Sequence, residues 1–251
     1  MGRDYRRKPS SRQENAPVGP SAVPNHSTWA TRSMTKPVGR KPAIMNENRP
    51  TLYRDPADMT EHRDLVDALI HRHSTPATCL TEPAPDDDTL QRILQAAESA
   101  PDHGGLHPWR FLVIDGPALD RLGEVFVEAM RRKDPEASDE LLDRERLRAQ
   151  RAPMIIAAIA REEAGHAKIP EVEQLLSAGI AAHHVLLAAR ASGFGAVWLT
   201  GLRVYDEHVM AALGLAEDER LIGLINIGTV KEGAPTKGKR RRQATIDRWA
   251  G

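Results

Sequence analysis

From residue 60 onward the apolar positions fall into recognisable rhythms. Leu65, Val66, Ala68, Leu69 and Ile70 share one broad face and predict a helix over 62–73. Pro76 disfavours helical geometry at Thr75, so Ser74-Thr75-Pro76 ends that helix. Glu82-Pro83-Ala84-Pro85 reads as extended. Asp86, Asp87 and Asp88 then provide a cap and dipole-favouring charge for a helix carrying Leu90, Ile93, Leu94 and Ala97. Pro101 stops it, and a loop through Pro108 leads into a strand over 109–114. Helices over 118–132 and 138–150 follow, with charged faces made from Arg131, Arg132 and Lys133 and from Arg144, Glu145 and Arg146. The run 154–160 is almost continuously apolar, as a strand buried on both faces requires. The helix predicted over 171–192 is the longest, is poor in charge after Glu173 and carries small residues nearly all round. A helix apolar on every side is buried in a core or between subunits. A strand over 194–199, a short helix over 207–213 and a strand over 220–228 complete the pattern, which contains no internal repeat. The order implies one central sheet with helices on both faces, an α+β or α/β sandwich.

Charge changes the picture before residue 60. The 251 residues hold 35 Lys+Arg and 35 Asp+Glu, a net charge of zero. Residues 1–58 hold 11 Lys+Arg, 5 Asp+Glu and 8 of the 18 prolines, leaving 59–251 as acidic as the first segment is basic. The first segment cannot bury enough apolar surface to offset the entropy of ordering it, so 1–58 is expected to be a disordered basic extension and 59–251 one domain. Met45 and Met59 lie near the change in composition, so a start codon placed too far upstream is one explanation of the extension. No window approaches 18 consecutive apolar residues, and no membrane span is expected. The basic N-terminus lacks a secretory h-region, and its transit-peptide composition lacks amphipathic periodicity. One cysteine, Cys79, rules out an intrachain disulfide and makes a cytoplasmic setting the default.

The chain contains no Gly-x-Ser-x-Gly, His-Glu-x-x-His, Walker A or Gly-x-Gly-x-x-Gly. Gly193-Phe194-Gly195 is too short for a dinucleotide fingerprint and reads as a helix C-cap turning into a strand. Arg72-His73-Ser74 suits a phosphate, with a guanidinium, a hydroxyl and free backbone N–H groups at a helix end, although a solvated cap has the same composition. His103 lies in the loop between the second helix and the first long strand, beside Trp109, Arg110 and Phe111. Junction loops of this kind commonly host function, and a surface histidine is the plain alternative. Asp102 and His103 are chain neighbours and are not expected to face one another as a dyad. The run Lys237-Gly238-Lys239-Arg240-Arg241-Arg242 is a solvated tail, a nucleic-acid patch or a phosphate contact. An acidic core without a recognition motif argues against the nucleic-acid reading.

In order and spacing, these pieces resemble the FMN-dependent NAD(P)H nitroreductase family, above all its compact short-chain subgroup. The likeness rests on Arg72-His73-Ser74, Glu82-Pro83-Ala84-Pro85, Ala100-Pro101-Asp102-His103 with Pro108-Trp109-Arg110-Phe111, Arg151-Ala152-Pro153, Ser177-Ala178-Gly179, Gly193-Phe194-Gly195, Trp198-Leu199-Thr200-Gly201 and Ile227-Gly228-Thr229. It implies an α+β three-layer sandwich, its mainly antiparallel central sheet flanked by helices, and a homodimer with the flavin at the subunit interface. On that likeness Arg72 and Ser74 hold the FMN phosphate and ribityl chain, and His73 contributes its backbone. Ser99 and His103 lie beside the cofactor, while Trp198, Leu199 and Thr200 lie along the isoalloxazine. Lys239 and Arg241 match a Lys-x-Arg phosphate grip, and Ala189, Arg190, Ala191, Ser192, Gly193 and Phe194 align with a stretch associated with the nicotinamide nucleotide.

The implied chemistry is a ping-pong transfer of hydride from NAD(P)H through FMN to a nitroaromatic, quinone or related electrophile, with no catalytic side chain and no metal. The same scaffold also serves dehalogenation, dehydrogenation and flavin fragmentation, and a non-catalytic FMN-binding protein is a further alternative. Three departures from the family pattern stand out. His73 replaces a frequent Arg, Ser99 and Leu199 replace basic side chains, and the stretch from Arg72 to Glu82 is about two residues longer.

Overall fold

A computed structural model describes residues 59–235 and 244–249, the side chains of 59–64 excepted. The expectation of a disordered segment over 1–58 lies outside the described residues. The elements run α1 (Met59–Ile70), β1 (Leu80–Thr81), α2 (Asp87–Glu98), β2 (Trp109–Asp115), α3 (Pro117–Lys133), α4 (Asp139–Ala149), β3 (Met154–Arg161), α5 (Glu171–Ala191), β4 (Gly195–Leu199), α6 (Glu207–Ala212) and β5 (Glu219–Val230).

The alternation within β3 builds the core. Ile155, Ala157 and Ile159 pack with Leu122 and Phe126 of α3, Ala149 of α4 and Val209 of α6. Met154, Ile156 and Ala158 point the other way, against Ile93 and Ala97 of α2 and Ala182, Val185 and Ala189 of α5. Successive side chains of a strand face opposite sides, so a wholly apolar strand must be covered twice. That is the three-layer sandwich, α2 and α5 on one side and α3, α4 and α6 on the other. β5 is the central strand. It pairs with β3 along one edge and with β4 and β1 along the other, while β2 flanks β3, and every pairing is antiparallel.

Helix α5 is apolar all round, as its sequence implies. Ala178, Ala181, Ala182, Val185 and Ala189 are buried against the sheet, whereas Val172, Leu176 and Ile180 recur every fourth residue and are exposed. In length and composition alone α5 would be long and apolar enough to cross a membrane, a test that the core helix of a soluble protein also passes. Its buried face belongs to the protein core.

The structure departs from the sequence-based expectations in three places. Helix α1 ends at Ile70, releasing Arg72-His73-Ser74 from helical geometry. Two-residue β1 is too short to carry a periodic signal. Glu145, expected on a charged outer face, is 3% exposed. It is paired with Arg148 at 2.9 Å and with Arg203, which also lies over the Phe126 ring at 5.3 Å. A partner 58 residues away in sequence makes that burial tolerable.

Candidate functional site

After α1 the chain is docked onto the sheet by a hydrogen bond from the Thr75 amide to the Ala196 carbonyl at 3.0 Å. Gly195 permits the approach, because a Cβ there would lie 3.1 Å from Thr75 Oγ1 and 2.7 Å from side-chain atoms of Leu80 and Val230. This docking presents Arg72, His73 and Ser74 beside the C-terminus of α5. Arg72 Nη1 makes a long contact, 3.5 Å, to Ser74 Oγ. Arg190 Nη1, from the last turn of α5, donates to His73 Nδ1 at 3.1 Å. His183 also faces this corner. Burial first, then the charge of Arg72 and then His184, hold its pKa below the usual imidazole value, so it adds no charge at neutral pH.

The end of α5 has the form of a Schellman cap. The Phe194 amide donates to the Ala189 carbonyl at 2.9 Å and the Gly193 amide to the Arg190 carbonyl at 3.0 Å, with Gly193 at φ 88°. Ala189 to Phe194, the expected nucleotide stretch, is therefore this cap and its lead into β4. Close by, Ser99 caps α2. Its hydroxyl donates to the Ala96 carbonyl at 2.7 Å and lies 3.4 Å from His184 Nδ1. Ser99, His184 and Arg190 are polar points on a mostly apolar cavity of about 420 Å³, walled by Leu65 and Leu69 of α1 and by Leu187.

His103 is elsewhere. Its Nδ1 lies 2.7 Å from Glu173 Oε2, at the first turn of α5. Asp102 does not engage it. The Asp102 carboxylate accepts instead from the His107 amide at 2.6 Å and closes the loop. Gly104, at φ 77°, lets the turn sit against Ile169, where a Cβ would approach Ile169 Cδ1 to 2.6 Å. Ile169 is held in turn by Gln174, 1% exposed, whose side chain accepts from the Glu163 amide and donates to the Glu163 and Ile169 carbonyls. Seventeen helical residues separate Glu173 from Arg190, about 25 Å at 1.5 Å per residue. One chain thus holds His103 and the Arg72 corner at opposite ends of α5.

Trp198, Leu199 and Thr200 lie at the far end of β4 from Gly195. The pairing of β3 with β5 shifts register after Ala158, leaving Ile222 as an extra residue in β5. Its carbonyl accepts the Trp198 indole N–H at 3.1 Å. Gly223 clears the space, since a Cβ there would lie 1.7 Å from Trp198 Nε1. Leu199 and Thr200 are exposed, continuing into exposed Leu202 and Tyr205.

The structure thus groups Arg72, His73, Ser74 and Arg190, sets Ser99 on the adjoining cavity and separates His103. Lys239 and Arg241 lie outside the described residues. Glu173, His183 and His184 were not among the expected site residues. Two adjacent histidines within an otherwise apolar helix were the one available signal for the latter pair. The donor set at the corner, two guanidiniums, a hydroxyl and an imidazole, fits a phosphate-bearing cofactor.

The profile described as the nitroreductase family matches residues 70–229. Among curated proteins, one from Haemophilus influenzae named as an NAD(P)H nitroreductase is 42% identical over 155 residues, covering 62% of this chain and 83% of its own. The Escherichia coli K12 protein YdjA, also named as an NAD(P)H nitroreductase, is 37% identical over 173 residues, covering 69% and 92%. A 5,6-dimethylbenzimidazole synthase from Rhodospirillum rubrum is 31% identical over 186 residues, covering 69% and 85%. Among solved structures, a nitroreductase-like protein from Bacillus cereus has a TM-score of 0.62 at 23% identity, covering 74% and 96% of the two chains. A Desulfovibrio desulfuricans nitroreductase solved in complex with FMN has a TM-score of 0.55 at 26% identity, covering 71% and 91%. The three-layer sandwich, the antiparallel sheet and the ordered motifs agree with these matches: the chain belongs to the nitroreductase family and is an oxidoreductase.

Proposed function

We propose that this protein is an FMN-dependent NAD(P)H oxidoreductase reducing nitroaromatic, quinone or related electrophiles, and that it works as a cytoplasmic homodimer with flavin at the subunit interface. The carrying observation is the division of the candidate residues between the two ends of α5. About 25 Å is longer than an extended flavin mononucleotide, so His103 and the Arg72 corner of one chain do not close on one cofactor. The exposed apolar stripe of Val172, Leu176 and Ile180 runs between them. Pairing two copies across this stripe brings the His103 loop of one protomer to the other's Arg72 corner. The relatives named as NAD(P)H nitroreductases and the FMN complex of the Desulfovibrio desulfuricans protein support the cofactor and its donor.

In this reading Arg72, Ser74 and the His73 backbone hold the phosphate and ribityl chain, with Lys239 and Arg241 adding positive charge. The Trp198 indole N–H is already committed to the Ile222 carbonyl, so its ring serves as a fixed wall. Glu173 orients His103 through Nδ1. The cap at Ala189 to Phe194, the Arg190 side chain apart, lies beside the nicotinamide nucleotide. Bound FMN supplies the redox chemistry, taking reducing equivalents from NAD(P)H and passing them to the electrophile. The protein supplies orientation, and no side chain in the set is required as acid or base.

Purified full-length protein is expected to show a flavin absorbance band and to oxidise NAD(P)H with a nitroaromatic or quinone acceptor. A colourless protein that takes up no FMN would overturn the reading, and bound FMN without turnover would favour a non-catalytic flavin protein. The Rhodospirillum rubrum relative favours one second reading, flavin fragmentation. Formation of 5,6-dimethylbenzimidazole from reduced FMN in air, without acceptor reduction, would establish it instead.

A further inference from the structure

We infer that Arg190 is a phosphate-binding residue of the flavin site, not a nicotinamide-nucleotide residue. The inference rests on the FMN reading above. A guanidinium only donates, so the 3.1 Å contact makes His73 Nδ1 the unprotonated ring nitrogen. The contact leaves the positive charge of Arg190 uncompensated, and no described carboxylate is paired with that guanidinium. An arginine in the last turn of a helix often serves as a C-terminal cap. Here the last carbonyls are taken by backbone amides of the Schellman cap, which frees the Arg190 side chain to reach across to residue 73.

Arg72 reaches Ser74 from the same segment, and its charge is felt at His183 on α5. The Arg190 guanidinium thus reaches the same short segment that carries Arg72 and Ser74. A phosphate ester accepts hydrogen bonds from guanidinium and hydroxyl donors gathered in this way.

The test is titration of the flavin-free full chain with FMN and, separately, with riboflavin, which lacks the phosphate, following flavin fluorescence. Arg190→Ala is expected to weaken FMN about 10- to 100-fold, the range for losing a charged hydrogen bond, and to leave riboflavin unchanged. His73→Arg in the Arg190→Ala background is expected to restore FMN affinity, and circular dichroism confirms that each variant is folded. Unchanged FMN affinity with a raised KM for NAD(P)H would overturn the inference and return Arg190 to the nucleotide. Equal loss of FMN and riboflavin would also overturn it. Wild-type protein that binds neither flavin would overturn the functional reading itself.

Discussion

Glu219 is where a single side chain most clearly links structure to pH. Arg110 holds its carboxylate with two hydrogen bonds of 2.6 Å, and the Ala216 amide adds a third at 3.0 Å. The Arg110 hydrogen bonds lead, outweighing partial burial, and with the charges of Arg110 and Arg161 they lower the Glu219 pKa from 4.5 to about 2. A carboxyl with a depressed folded-state pKa stabilises fully above its unfolded pKa and loses that contribution as the pH falls towards the folded value. The loss therefore spans pH 4.5 to about 2. Denaturant titrations across this window should show wild type losing about 3 kcal/mol more stability than Glu219→Gln. Glu145 poses a different problem, since its removal strands Arg203 in a largely buried setting. Glu145→Ala is expected to destabilise the fold by about 3 kcal/mol in urea, and Glu145→Leu with Arg203→Met to recover much of that loss.

Among the elements, the meeting of β4 and β5 decides the geometry beside the proposed flavin. The extra residue at Ile222 turns its carbonyl towards the Trp198 indole, and glycine at 223 leaves room for the ring. Gly223→Ala must displace the indole, and the expected result is a loss of about 1–3 kcal/mol in urea unfolding together with weaker FMN binding. An unchanged FMN affinity would show that Trp198 is not part of the cofactor wall. Helix α5 joins the two halves of the site. Its N-terminal turn anchors the His103 loop through Glu173 and Gln174, and its C-terminal turn delivers Arg190.

At the scale of the molecule, the exposed stripe on α5 leaves apolar surface uncovered in a single chain. Leu176 is 62% exposed, so Leu176→Glu should leave the fold of an isolated chain intact. If two chains share the stripe, the variant is expected to sediment as a monomer and to lose flavin, because each site draws on both protomers. A variant that remains dimeric with flavin bound would place the interface elsewhere.

The sequence by itself determined what is written over a few neighbouring residues. The apolar run of β3, the Asp86 cap of α2 and the glycine cap ending α5 each follow from local periodicity or a local backbone requirement, and each stands where the pattern places it. The tertiary structure decided what depends on residues distant in the chain. Glu145 reads as a surface charge until Arg203 covers it. His103 and Arg72 read as parts of one set until α5 separates them by its length. Arg190 lay in a stretch expected to serve the nucleotide, and only the docking of residues 72–75 onto β4 brings His73 within its reach. Such pairings arise when packing closes long stretches of chain around a shared core, and no short window of sequence records which side chains then meet.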